Sequence, residues 1–280
     1  MDTMPLNQVP RAFRAEVCQA ISDFSIGLVK LNGSGLVQNA RLGGSGTLVQ
    51  IDGTCGILTA CHVLDYLQGK EAIALLLANT LKRFIHRVTV RSETMRWVRI
   101  ACSDKKDEGP DLGILLLSSV DVGYLRARKS FYNIANREWL LRDPPALDVG
   151  VWFLCGFADE ATTERGPERG FKRIKVFEGA CGHGPVEKEY HVGDFGYLDF
   201  EVGYGGANEP LRSLGGFSGG GLWQVPVMRT PAGELKVKEL LFSGVAFYQN
   251  PLNGNRRVIK CHGRDGIYAH AIQAIRNEAS

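Results

Sequence analysis

The chain reads as all-β, a sandwich or barrel architecture divided into two β domains, with a short helix at each end. Three observations point there. Short apolar runs rich in β-branched residues recur between turn residues along most of the sequence. Glycine and proline, 34 and 11 of 280 residues, are spread throughout and leave little room for long helical periodicity. One polar, weakly patterned stretch divides the apolar runs into two series.

The elements follow in order. Residues 1–23 form an N-terminal extension whose helix spans residues 10–22, because Phe13, Val17, Ala20 and Ile21 recur at helical spacing. The first β domain, residues 24–123, carries strands at 25–31, 46–51, 55–60, 84–91, 96–101 and 111–117. Residues 124–148, polar and proline-containing, are the crossover. The second domain, residues 149–265, carries strands at 149–157, 171–179, 197–203, 220–227 and 239–248. Residues 266–280 close the chain as a helix, with Ile267, Ala271, Ile272 and Ile275 on one side.

Composition narrows the function. An apolar fraction of 44% and a charged fraction of 22% belong to a globular protein. No window approaches the ~18 uninterrupted apolar residues of a membrane span. A net charge of +3 is too small to argue for nucleic acid or an anionic membrane as partner. The basic stretch Lys82, Arg83, Arg87, Arg91, Arg96 and Arg99 reads as solvated strand faces. The first residues show no basic start followed by an apolar block, so no secretory signal is expected. Seven scattered cysteines, an odd number, read as reduced thiols of a cytoplasmic chain. The Cys-His pairs at 61–62 and 261–262 and Cys181/His183 lack zinc spacing. They read as structural cysteines and surface histidines, and no metal or other cofactor is expected.

Three short segments carry chemistry when taken together. "ILTACHV" (57–63) ends an apolar run in Cys61 and His62; "PDLGILLL" (110–117) places Asp111 before another; "GGFSGGG" (215–221) surrounds Ser218 with glycines. A serine hydroxyl needs a base to take its proton, and histidine has a suitable pKa. The histidine needs a carboxylate to fix its tautomer. The oxyanion that forms needs backbone N–H donors, which Gly216 and Ser218 can supply if no side chain at 216 disfavours the turn. Each segment alone is weak, since a glycine-rich turn or linker and a strand-capping aspartate are common. Their joint occurrence at strand edges, His62 and Asp111 in the first domain and Ser218 in the second, points to a cleft between two β domains. The order His, Asp, Ser, with no helix after Ser218, excludes the strand–elbow–helix of α/β-hydrolases. Cys61 should not share the site, because neighbouring strand residues point to opposite faces.

On these residues, with "GSGTLV" (44–49) and "FSGVAF" (242–247), the chain resembles the trypsin/chymotrypsin-fold serine peptidases, in particular their disulfide-free bacterial branch. The resemblance covers about residues 24–279. It implies two antiparallel six-stranded β-barrels, with His62 as general base, Asp111 as its orienter, Ser218 as nucleophile, and Gly216 and Ser218 as oxyanion hole. Val63 stands where secreted members carry a cysteine, and Phe217 where zymogen-activated members carry an aspartate, so activation by that ion pair is unavailable. For substrate binding the resemblance nominates Arg212, Ser213, Ala246 and Phe247. A buried Arg212 would favour an acidic side chain before the scissile bond; an Arg212 in solvent or paired with Glu209 is the preferred alternative. The expected function is a cytoplasmic serine endopeptidase acting on protein or peptide substrates, under control of a regulatory protein partner, in a bacterial stress or defence pathway. The competing expectation is a catalytically silent binding module that keeps the fold.

Overall fold

The structure, a computed structural model, describes residues 9–32, 39–79, 82–105, 107–165, 174–202, 213–231, 233–253 and 256–279. The N-terminal helix α1 (Arg11–Ser22) forms where the apolar spacing placed it, and buries Phe13, Val17 and Ile21 at four-residue intervals. The first sheet contains β1 (Ser25–Asn32), β2 (Asn39–Ile51), β3 (Thr54–Thr59), β4 (Ala72–Asn79), β5 (Lys82–Arg91), β6 (Arg96–Cys102), β7 (Asp111–Leu116) and β8 (Tyr132–Asn133). Its order is β5-β4-β1-β2-β3-β7-β6, with β8 added beside β2. Two helices belong to this half: α2 (Cys61–Leu67) and α3 (Ser119–Arg126), the latter capped by the Ser118 hydroxyl.

The second half contains β9 (Val151–Phe157), the hairpin β10 (Thr163–Arg165) and β11 (Ile174–Val176), β12 (Gly179–Gly184), β13 (Val186–Val192), β14 (Phe195–Glu201) and β15 (Gly221–Val225). The hairpin β16 (Val227–Arg229) and β17 (Leu235–Val237), then β18 (Leu241–Gln249) and β19 (Val258–His262), complete it. The seven-stranded sheet runs β12-β9-β15-β18-β19-β14-β13. A π-helical turn, Gly266–Ala271, leads into α4 (Ile272–Ala279).

The fold is therefore mostly β, in two sheets, with the short helices expected at both ends. Two refinements apply to the expected pair of six-stranded antiparallel barrels. The sheets have eight and seven strands, and among the described residues each path ends at open edges rather than closing. All pairings within them are antiparallel except β2 with β8, which is parallel. The crossover 124–148 is not featureless. It holds the end of α3, β8 and a 3₁₀ segment at Ala135–Leu141, and Tyr132 of β8 is 3% exposed, so this stretch is packed into the core. Its polar residues hid a strand of two residues, too short for periodicity to register. Residue 203 and residues 171–173 of two expected strands lie outside the described residues.

Among the described residues four apolar clusters hold this together, and three of them carry most of the core. One joins residues of the first sheet to α2 (Ile26, Leu48, Ile57, Val63, Leu64). A second lies within the second sheet (Trp152, Leu154, Leu198, Phe200, Leu222). The largest bridges the two halves, with Phe13 and Val17 of α1, Leu58 and Ile114, Phe153 and Trp223, and Ile267, Tyr268 and Ile272 of the C-terminal segment. Each such side chain is worth roughly 1.5–3 kcal/mol of burial, so the bridging cluster fixes the two sheets against each other.

The cysteine expectation needs a correction. Cys61–Cys102 and Cys155–Cys181 are joined as disulfides, leaving Cys18, Cys55 and Cys261 free. Strand pairing brings them together: Cys155 and Cys181 are direct partners on β9 and β12, with Cα atoms 4.3 Å apart. Cys61 starts α2 and Cys102 ends β6, with Cα atoms 5.8 Å apart. Separations of 41 and 26 residues carry no trace of that pairing in one dimension. No helix of the described residues is long and apolar enough to cross a membrane.

Candidate active site

The histidine sits where β3 turns into α2. His62 is the second residue of that helix, not the end of a strand, and Ala60 at the N-cap offers no side-chain cap. Helix starts leave backbone N–H groups without partners. Asp111, the first residue of β7, fills that role from the neighbouring strand: its Oδ1 accepts the His62 N–H at 2.9 Å. Its Oδ2 accepts the His62 Nδ1–H at 2.5 Å. One carboxylate thus caps the helix and fixes the ring. With Nδ1 as the donor, the neutral ring has Nε2 as its acceptor. Asp111 is nearly buried, its side chain 8% exposed, while the His62 side chain is 38% exposed, so the ring reaches solvent from a fixed base.

Cys61, placed beside His62 by sequence, is buried in its disulfide with Cys102. Strand alternation is the wrong reason for its exclusion from the site, since both residues are helical; the disulfide and burial are the right one. Cys102 is itself the register partner of Asp111 across β6 and β7. The disulfide therefore ties the helix that carries the histidine to the strand beside the aspartate.

The serine segment is built from the backbone. Gly216 has φ +93° and Gly219 φ +85°, in the left-handed region where a side chain is strained. A Cβ at 216 would lie 2.7 Å from the Phe157 carbonyl oxygen, and one at 219 would overlap Thr59 Oγ1 and the Ser45 carbonyl oxygen. Both glycines are therefore needed for the turn and for its close approach to the first sheet. Hydrogen bonds lock the loop: Phe217 N–H to Leu214 O at 2.9 Å, Gly219 N–H to Ala246 O at 2.6 Å, and Gly220 N–H to Phe217 O at 2.7 Å. The Gly215 N–H goes to Ser213 Oγ at 3.0 Å. Among the described residues the N–H groups of Gly216 and Ser218 donate to nothing. These are the two that the sequence nominated as oxyanion donors.

The first sheet meets this loop through Ser45, a residue to which sequence reasoning gave no role. Its N–H donates to the Ser218 carbonyl at 2.7 Å, and its hydroxyl donates to the Gly216 carbonyl at 2.6 Å. That hydroxyl also accepts the Phe157 N–H at 2.8 Å, and Thr59 Oγ1 donates to the Ser45 carbonyl at 2.7 Å. A Cβ at Gly44 would lie 2.8 Å from the Ser218 carbonyl and 2.5 Å from Val63 Cγ2, so the serine segment and the residue after His62 flank the same backbone. The only signal for this in sequence was the small-residue run "GGSGT" at the start of a strand pattern. Among the described residues the Ser218 hydroxyl makes no hydrogen bond to His62.

A small open cleft lies beside Ser218, lined by Leu214, Phe217, Ala246, Phe247, Gln249 and Ile259 among others. Ala246 and Phe247, nominated for substrate binding, are among its lining. A bulge between Ala246 and Tyr248 shifts the register of β18 against β19 and re-aims Phe247. Ser213 lies beside the cavity and braces it: its hydroxyl accepts from Gln249 Nε2 at 3.3 Å, while Gln249 Oε1 accepts the Leu214 N–H at 2.9 Å and Arg257 at 2.8 Å. Arg212 and Glu209 lie outside the described residues. Phe217 is 4% exposed and belongs to the core of the second sheet.

The remaining nominated groups have other occupations. Arg91, Arg96 and Arg99 pair with Glu93, Glu278 and Asp65. His183 takes a hydrogen bond from Arg14. His262 is not a surface histidine but wholly buried, and its Nε2 accepts the Asp111 N–H at 2.9 Å. Among the described residues no group of three His, Cys, Asp or Glu side chains could hold a metal ion. No protein-family model and no curated protein sequence matches this chain.

Proposed function

We propose that the chain is a serine endopeptidase in which His62, Asp111 and Ser218 act as a triad. The observation that carries this reading is the pair of unpartnered N–H groups, Gly216 and Ser218, in a loop where every neighbouring N–H is engaged. Buried backbone donors are nearly always paired; Gly216 and Ser218 are half-buried, so their N–H groups, with no acceptor among the described residues, stay open to an incoming group. Two left open beside a serine and a cleft are suited to receive an oxygen that gains charge.

In the mechanism that follows, the peptide carbonyl lies with its oxygen toward those N–H groups. Ser218 Oγ attacks the carbonyl carbon as His62 Nε2 takes the hydroxyl proton. Asp111 keeps Nδ1 protonated and stabilises the imidazolium. The tetrahedral oxyanion rests on the two amides. Collapse expels the amine, which receives the proton from His62 and leaves an acyl-Ser218 ester. Water, deprotonated by His62, then releases the acid. The apolar cavity receives the side chain before the scissile bond. On the same reading the two sheets are the opened walls of two β-barrels, and the substrate is an extended peptide beside β18.

Digestion of a proteome-derived peptide library by wild-type protein should give discrete cleavage sites that disappear in Ser218→Ala. Cleavage surviving in that variant would overturn the reading. The alternative, a silent binding module, is favoured by the absence of a Ser218–His62 hydrogen bond among the described residues. It requires that neither wild-type protein nor Ser218→Ala cleaves anything. The expectation of a cytoplasmic chain rests on reading the cysteines as reduced thiols, and the two disulfides pull towards an oxidising compartment. Alkylation of thiols in freshly lysed cells decides it: seven free thiols support the cytoplasm, three the oxidising compartment.

A further inference from the structure

Asp111 begins β7 beyond the reach of its neighbour β3, whose last register pair with β7 is Thr59 with Gly113. Its N–H therefore has no ladder partner on that side, yet Asp111 is 5% exposed. A buried N–H left unpaired costs about 1–3 kcal/mol. The partner comes from the other sheet: His262 Nε2, at 2.9 Å.

His262 is held firmly. It ends β19, with Tyr197 of β14 on one side and Val245 of β18 on the other as register partners. Its ring packs against Phe247, Tyr197 and Phe195, with centroids 4.7, 5.2 and 6.0 Å away. Because Nε2 accepts, the proton of the neutral ring is on Nδ1, which has no partner among the described residues. For packing alone a phenylalanine would suit this aromatic site better than an imidazole with a stranded donor. The group the imidazole adds is the acceptor.

We propose that His262 is a positioning residue: from the second sheet it receives the Asp111 N–H and fixes the point from which the Asp111 carboxylate holds the His62 ring. This rests on the triad reading above. The carboxylate is one Cβ away from the backbone that His262 holds, and it must meet both the His62 N–H and Nδ1–H at once. A small rotation of the Asp111 backbone would lengthen one of those bonds. The same bond crosses from the sheet that carries Ser218 to the sheet that carries His62, so it sets the two halves of the site in register. Phe247 is shared, lining the cavity on one side and stacking on His262 on the other.

The test uses full-length, uniformly ¹⁵N-labelled protein and p-nitrophenyl acetate as substrate. Wild-type protein should show a scalar coupling across the Asp111 N–H···Nε2 bond and a low-field proton for the His62 Nδ1–H. In His262→Phe, which fills the aromatic site but cannot accept, that proton should broaden or vanish. There kcat should fall about 10–100-fold with KM within about two-fold, the split expected of misplaced machinery. His262→Gln, which can accept through its amide oxygen, should recover most of both. A folded His262→Phe with wild-type low-field proton and kcat would overturn the inference. So would the absence of the coupling in wild-type protein, a measurement that needs no variant to fold. If wild-type protein hydrolyses nothing while the coupling and the low-field proton are present and respond to the substitution, the peptidase reading fails and the positioning of Asp111 stands.

Discussion

On the first sheet Asp111 has both carboxylate oxygens and its own N–H engaged, whereas on the second the loop around Ser218 leaves two N–H groups unused. The first half is a side-chain device fixed by saturation, in which each bond removes a freedom from the next. The second is a backbone device, its shape fixed by two positive-φ glycines and by Ser45, and its capacity lies in what is withheld. On the proposed reading the contrast has a chemical reason. A base must be aimed before substrate arrives, so its supports are filled in advance. An oxyanion receptor must stay empty until charge develops, so its donors are held apart from every internal acceptor.

The comparison breaks most visibly at its reacting groups. Ser218→Ala or His62→Ala should reduce ester hydrolysis by about 10⁶-fold. Asp111→Asn, which keeps the size but not the charge, should cost about 10⁴-fold. Stopped assays with p-nitrophenyl acetate measure all three, and an Asp111→Asn variant near wild-type rate would show that the saturated half plays no part in the proposed reaction. Next comes the backbone half: Gly216→Ala, strained at φ +93°, should lower kcat about 10²–10³-fold by turning one donor away. An unchanged kcat in a folded Gly216→Ala would remove that N–H from the mechanism.

The bridge between the halves should respond to acid. Burial pushes His262 down to about 4, partly offset by Asp111 on β7 and reinforced by His270 in the C-terminal segment. The unfolded chain binds this proton first, near the ordinary histidine value of about 6.5. Stability from His262 is therefore complete above pH 6.5 and is lost as the pH falls from about 6.5 to about 4, by about 3 kcal/mol. Urea unfolding of wild-type protein and His262→Gln across this window isolates the effect; parallel pH profiles would mean that His262 is not held neutral. Smallest is Ser45→Ala, which removes the hydroxyl from Gly216 O and strands the Phe157 N–H. A loss of about 1–3 kcal/mol in urea unfolding and a modest fall in kcat are expected, and no loss would show that the loop holds itself.

Much of this was legible in one dimension. The apolar runs at 55–60 and 111–117 became β3 and β7, and the pairing of those strands brings His62, just past β3, and Asp111, at the start of β7, to 2.5 Å. The glycine at 216 was readable because its reason, a turn that a side chain would disfavour, is local; the same need at 219 appeared only in the structure. What escaped depends on pairing between distant strands. Cys155 meets Cys181 because strand register sets them opposite, and His262 meets Asp111 because the two sheets pack against each other. The short helix α2 was hidden by the apolar run before it. β8 was too short to show alternation. Ser45 carried no signal beyond small neighbours, since its importance lies in three backbone groups that it touches.

The most direct measurement is the intact mass of the protein after exposure to a small fluorophosphonate, with peptide mapping of the product. A single phosphonyl adduct on Ser218, absent from Ser218→Ala and strongly slowed in His62→Ala, is the expected result. An unmodified wild-type mass, or an adduct on any other residue that persists in Ser218→Ala, would contradict a nucleophilic serine at the meeting of the two sheets.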